Sequence, residues 1–234
     1  MKFLVLDCEA CNCPKVDGQL DVKNGQAYDL GGQVIDEFGN VYDKFSCIIE
    51  DVFFGMPQAM QEAFYADKIP QYLEDMRMQK RKIMNIWDLY YLVRDKCKEW
   101  NVQAVVAHNA RFDISVLNST LRYLTKSRKR YFLPYGMKVL DTMKMAKMVL
   151  SNSSDYEEFC KKHNFMTNHP IPRPRFTAEV LWRYFTGNVN FEESHTGFED
   201  VEIESQIMAE CLKALRTKAS RLAPACHLVY RIQI

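Results

Sequence analysis

The chain has 234 residues, 47% of them apolar, 12% aromatic and 26% charged. This composition can bury an ordinary core and excludes disorder as the main state. A net charge of +1 excludes a protein that coats nucleic acid by bulk charge, so any binding of phosphates must be local.

The apolar run Phe3-Leu4-Val5-Leu6 meets Asp7 after four residues. It is too short for the apolar region of a signal peptide or for a membrane span, so a cytoplasmic protein with no membrane partner is expected. The run reads as a central strand over residues 3–9, buried on both faces and opening onto a site at its C-terminal end. Residues 11–26 carry Pro14, Gly18 and Gly25 and read as a long connecting loop. Tyr28–Ile35 and Val41–Ile49 flank the turn-rich Asp36-Glu37-Phe38-Gly39-Asn40, which predicts an antiparallel pair.

Ile86, Leu89, Tyr90, Val93, Cys97 and Trp100 keep the spacing of one apolar helix face. Ala104–Ala107 is a short apolar strand. It runs into His108-Asn109-Ala110-Arg111-Phe112-Asp113, and from Phe112 the spacing of Val116, Leu117, Leu121 and Leu124 predicts a helix with Asp113 in its first turn. Lys138–Leu140 reads as a fifth strand, followed by Asp141-Thr142 as a helix cap. Residues 151–175, with Pro170, Pro172 and Pro174, are expected to be extended or turning. A last helix is predicted from about Phe198 to about Arg216, and His227–Ile234 as an added edge strand in a C-terminal extension of about 218–234. The economical architecture is one α/β domain over residues 1–234.

Side chains two apart on a strand share a face, so Asp7 and Glu9 aim at one spot while Cys8 faces away. Two buried carboxylates are costly unpaired and call for a cation. Oxygen ligands of this kind favour Mg²⁺, with Mn²⁺ able to substitute, over zinc. Asp113 and Asp200, each in the first turn of a predicted helix, could merely complement the helix dipole. Their combination with Asp7, Glu9 and His195 favours a site instead. The eight cysteines are irregularly spaced, and Cys8, Cys11 and Cys13 lack a second ligand pair, so reduced thiols are expected rather than zinc or disulfides. The basic runs Arg77 to Lys82, Lys126 to Arg130, and Arg173 with Arg175 each read most simply as solvated faces, with Lys126 to Arg130 and the proline-rich stretch as candidate contacts for a substrate or partner.

Three motifs in order, Asp7-Cys8-Glu9, His108-Asn109-Ala110-Arg111-Phe112-Asp113 and His195-Thr196-Gly197-Phe198-Glu199-Asp200, resemble those of the DEDDh 3′→5′ exonucleases. That family includes polymerase proofreading subunits, RNase T and oligoribonuclease. The resemblance implies an RNase H-like fold with a five-stranded mixed sheet in the order 3-2-1-4-5, flanked by helices. It implies two divalent ions, with Asp7, Glu9 and Asp200 on one, Asp7 and Asp113 on the other, and His195 as general base. Ala10 and Cys11 follow Glu9 where many members carry a threonine. By the same resemblance Ala10, Cys11, His108, Asn109 and Phe112 are the candidate substrate contacts, Phe112 equally reading as core.

The expected partner is a nucleic-acid 3′ end, DNA favoured over RNA, with a polymerase or other replication protein as a candidate associate and either a monomer or a homodimer. An exoribonuclease is the alternative on the same chemistry. A catalytically silent binding module is the alternative of another class, opposed by the retention of four carboxylates and the histidine.

Overall fold

The computed structural model describes residues 1–12, 15–16, 19–20 and 25–222; for 15–16, 19–20 and 218–222 the backbone alone is described. The strands are β1 (Lys2–Cys11), β2 (Lys15–Val16), β3 (Gln19–Leu20), β4 (Gln26–Asp36), β5 (Val41–Ile49), β6 (Lys82–Met84), β7 (Ala104–Ala107) and β8 (Lys138–Asp141). The helices are α1 (Glu50–Phe53), α2 (Pro57–Gln61), α3 (Ile69–Arg77), α4 (Ile86–Glu99), α5 (Arg111–Thr125), α6 (Thr142–Leu150), α7 (Ser154–Lys162), α8 (Ala178–Thr186) and α9 (Gly197–Leu222).

The main sheet has the order β6-β5-β4-β1-β7-β8. The five longer strands keep the expected 3-2-1-4-5 order, with β1 antiparallel to β4 and parallel to β7. The sheet is six-stranded rather than five-stranded because β6 adds alongside β5 in parallel. At three residues, β6 is too short to show a period. The β4–β5 turn forms as expected, with the Asp36 carboxylate accepting from the Phe38 and Asn40 backbone N–H groups at 2.8 and 3.0 Å. Instead of a plain loop over 11–26, β1 continues to Cys11 and the two short strands β2 and β3 pair with each other.

Strand β1 divides the core. Leu4, Leu6 and Cys8 pack with Leu89 and Val93 of α4 and with Val116, Leu117 and Leu121 of α5. Phe3 and Val5 pack with Val201 and Met208 of α9 on the other face. The odd-numbered residues of β1 therefore face α9, which determines where Asp7 and Glu9 point.

Residues 151–175 are not extended throughout. Ser153 caps α7 by accepting from the Tyr156 N–H, and Tyr156 and Cys160, four apart, are buried with Leu181 of α8 and Ile207 and Cys211 of α9. That i, i+4 pair is a helix signal which the proline content downstream obscures. Helix α9 also runs six residues past the expected Arg216, to Leu222, and the expected strand over 227–234 lies outside the described residues. Among the described residues, no helix is long and apolar enough to cross a membrane.

Candidate active site

Asp7, Glu9 and Asp200 each present a carboxylate oxygen within 4.8 Å of the other two. Alternation along β1 supplies the first two, and the first turn of α9 supplies the third. The N-terminus of α9 can approach this closely because glycine faces glycine. A Cβ on Gly31 of β4 would lie 2.1 Å from the Gly197 carbonyl oxygen, and one on Gly197 would lie 2.9 Å from the Asp7 carbonyl oxygen.

A buried polar network fixes the same helix start. The Asp29 carboxylate accepts from the Gly197 N–H at 2.9 Å and from the Tyr72 hydroxyl at 3.0 Å. Arg81 pairs with Asp29 at 3.1 Å, with Asp75 at 3.1 Å and with Glu199 at 2.9 Å. Glu199 also accepts from the Thr196 hydroxyl. Asp113 reaches the site from α5, around the opposite side of the strand end, and its carboxylate accepts the Cys8 backbone N–H at 3.1 Å.

The electrostatics are those of a site built for cations. Among the described residues no lysine or arginine is ion-paired with Asp7, Glu9, Asp113 or Asp200, and Asp7 Oδ2 is buried without a hydrogen-bond partner. Burial first, then the charge of Glu204, pushes the Asp7 carboxyl far up; burial and Asp200 do the same to Glu9. Burial raises Asp113 to about 7 and, with Glu193 and Glu199, raises Asp200 to about 8. Unpaired carboxylates crowded out of water bind either protons or a metal. Oxygen-only ligands fit Mg²⁺ or Mn²⁺, and the orphaned oxygen of Asp7 gives a cation a ready partner.

Sequence reading missed Glu204, a further buried carboxylate, and Glu193. Glu204 lies four residues after Asp200 on the same face of α9, a spacing that could have exposed it. Its Oε2 accepts the His108 backbone N–H at 3.0 Å. Burial raises the Glu193 carboxyl to about 7. The network of Arg81 and Asp29 was also missed.

His195 lies just before α9 in the left-handed region, φ +54°. Its ring stacks on Tyr65, centroids 4.5 Å apart and planes 12° from parallel. The charges acting on this ring are Glu179, Lys68 and Asp67, and burial lowers its proton affinity. Tyr65 in turn feels Glu9, Glu193, Asp200 and Asp7, which with burial raise its hydroxyl. The ring of His195 is thus placed beside Tyr65, and Asp7, Glu9, Asp113 and Asp200 are not among the charges that act on it.

Two candidate substrate contacts take other roles. Both ring nitrogens of His108 are engaged, Nδ1 with the Thr142 hydroxyl at 2.9 Å and Nε2 with the Phe176 carbonyl at 2.8 Å, so it ties β7 to α6 and to the segment before α8. Cys11 is 1% exposed, in the same core as Leu4, Leu6 and Cys8, beyond the point where the pairing of β1 with β4 shifts register between Glu9 and Ala10. Ala10 and Phe112 are partly buried against that core. Asn109 is exposed in the left-handed region, φ +59°. The six described cysteines, including Cys8 and Cys11, are buried, and among the described residues none is joined in a disulfide; Cys13 lies outside the described residues.

No protein-family model matches the chain, and no curated protein matches it. Among solved structures, a moderately thermophilic exonuclease I from Methylocaldum szegediense aligns over 94% of this chain and 41% of its own, at 13% identity and a TM-score of 0.50. The chain has the RNase H-like fold. Two further solved structures align with it at lower scores. Escherichia coli exonuclease I in complex with a dA16 oligonucleotide has a TM-score of 0.49 at 17% identity, over 94% of this chain and 42% of that one. Exonuclease X in complex with 5′-overhanging duplex DNA has 0.42 at 17% identity, over 90% and 91%. The chain spans about two fifths of the length of these exonuclease I chains.

Proposed function

We propose that the chain is a metal-dependent 3′→5′ exonuclease that hydrolyses phosphodiester bonds at the 3′ end of single-stranded or frayed DNA and releases nucleoside 5′-monophosphates. The observation that carries this reading is the convergence of Asp7, Glu9 and Asp200 within 4.8 Å, with a buried and unpartnered oxygen on Asp7.

In this reading Asp7, Glu9 and Asp200 hold one divalent ion, and Asp7 with Asp113 holds a second. The ions, when bound, offset the charge that develops on the phosphate and on the attacking and leaving oxygens. A water oxygen would bond to phosphorus as His195 takes a water proton, and the bond to the penultimate nucleotide's 3′ oxygen would break with its electron pair on that oxygen, which gains a proton from solvent. Burial that lowers the His195 proton affinity keeps the ring neutral and able to accept near neutral pH. The step from its stacked position on Tyr65 to the attacking water belongs to the substrate complex, where such contacts tighten. Phe64, 77% exposed and edge-on to Tyr65 at 4.8 Å, offers a face on which a terminal base can stack.

The test compares 5′-labelled DNA and RNA oligomers of one sequence with Mg²⁺, Mn²⁺ or EDTA. A metal-dependent ladder on DNA supports the proposal in full. A ladder on RNA alone moves the chemistry to an exoribonuclease. No cleavage of either, with metal bound, leaves the fold as a binding module and removes the catalytic reading.

A further inference from the structure

Six of the chain's lysines and arginines, and none of its aspartates and glutamates, lie between Asp113 and Asp141. The chain as a whole is nearly neutral at +1, so this stretch is a local positive field. The six are Arg122, Lys126, Arg128, Lys129, Arg130 and Lys138, all of them exposed and, among the described residues, none ion-paired to a carboxylate. At the end of α5 neither Arg122 nor Lys126 has an acid three or four residues away, so no helical ion pair offsets their charge.

Aromatic rings are interleaved with these charges. Tyr123, Tyr131 and Tyr135 are 60%, 67% and 97% exposed, and Tyr91 of α4 is 51% exposed. Lys129 Nζ lies 5.3 Å from the Tyr91 ring centroid and 4.7 Å from that of Tyr90. The segment is anchored on the groove between two helices. The Phe132 N–H donates to Asn118 of α5 at 2.7 Å, and Arg94 of α4 donates to the Leu133 carbonyl at 3.0 Å. The cations and rings are therefore held on a fixed frame.

We propose that the exposed cations and tyrosines of residues 122–138, with Tyr91, form a second, non-catalytic contact for single-stranded nucleic acid, which holds the strand upstream of the 3′ end. Unpaired cations track a phosphate backbone and flat exposed rings stack on bases without reading sequence. Helix α5 connects the two sites. It carries Asp113 in its first turn and ends at Thr125, and at 1.5 Å per residue the twelve residues between them span about 18 Å. This places the contact several nucleotides from the site. An acidic peptide would also be drawn to the charges, but it has no use for the four exposed rings, and on that ground nucleic acid is favoured.

The inference rests on the exonuclease reading for the direction of the strand, but the contact can be tested without cleavage. Binding of a labelled 20-nucleotide single strand is measured against salt in EDTA, for the wild type, for Lys126→Gln/Arg128→Gln/Arg130→Gln and for Tyr135→Ala. The triple variant is expected to bind at least tenfold more weakly and to lower the slope of log K against log salt by about 2, three contacts at about 0.7 each. Tyr135→Ala is expected to weaken binding severalfold with the slope unchanged. An unchanged slope in the triple variant overturns the proposal, and so does equal loss of binding to a trinucleotide and to the 20-mer. If polyglutamate competes at the wild-type surface while the single strand binds all variants alike, the surface belongs to an acidic protein partner instead. If the strand binds as expected but is never cleaved with metal, the contact stands and the exonuclease reading falls.

Discussion

Arg81 and Asp29 form an ion pair at 3.1 Å with side chains 2% and 0% exposed. Through it the start of α9, where Gly197 donates to Asp29 at 2.9 Å, is tied to the sheet. Removing the arginine strands a buried carboxylate, a change that typically costs about 3–5 kcal/mol. Arg81→Met should therefore lower unfolding stability in urea by that amount. A loss below about 1 kcal/mol, the scale of a surface pair, would show that the network does not hold the helix start.

Gly31 is the second device that places Asp200. An alanine there would put its Cβ 2.1 Å from the Gly197 carbonyl oxygen, so α9 must shift. A displacement of about 1 Å at a reacting centre costs about a hundredfold in rate. Gly31→Ala should lose at least that much in kcat while keeping its far-ultraviolet circular dichroism. Retained kcat in the folded variant would mean that the close approach does not position Asp200.

The carboxylate cluster makes stability depend on pH in a definite direction. Burial raises Asp113 to about 7 and Asp200 to about 8, above the unfolded value of about 3.9. The folded state then holds these protons more tightly, so their stabilising contribution is full below about pH 4 and is lost as pH rises through 7 to 8. The metal-free protein should show a Tm that falls from about pH 5 to about pH 8.5 as these groups ionise. Mg²⁺ or Mn²⁺ should raise Tm far more at the upper pH, by the equivalent of about 2.7 kcal/mol at a hundred times Kd. A metal effect of equal size at both pH values would contradict the account.

His195 should set the acid limb of the rate profile. Its proton affinity is lowered by burial from the ordinary 6.5, and the base form is needed, so the acid limb of kcat/KM should lie on the acid side of 6.5. His195→Ala should cost about 10²–10⁴-fold and remove this limb, leaving only what the carboxylates contribute. An identical acid limb in the variant would take His195 out of the proton transfer.

Strands with unbroken apolar runs were legible because burial on both faces leaves no ambiguity, and Ala104–Ala107 forms β7 with the boundaries read from sequence. The alternation that aims Asp7 and Glu9 together was legible for the same reason. Cys11 and His108 were not, since a side chain that finishes a core strand and one that ties two elements look the same as substrate contacts until their partners are known. The helices α1, α2, α3, α7 and α8 are short, and their apolar faces are set by tertiary neighbours, as where Tyr72 of α3 meets Tyr28 of β4 edge-on at 5.7 Å. Long-range pairs such as Arg81 with Asp29, 52 residues apart, leave no periodic trace at all.

The most direct test is hydrolysis of a single-stranded DNA labelled at its 5′ end, with Mn²⁺, by wild type, Asp7→Asn and Asp200→Asn. The account predicts a ladder shortening from the 3′ end in the wild type, its loss in both variants, and loss of wild-type activity in EDTA. A ladder that survives in either folded variant, or cleavage within the strand rather than from its end, would contradict it.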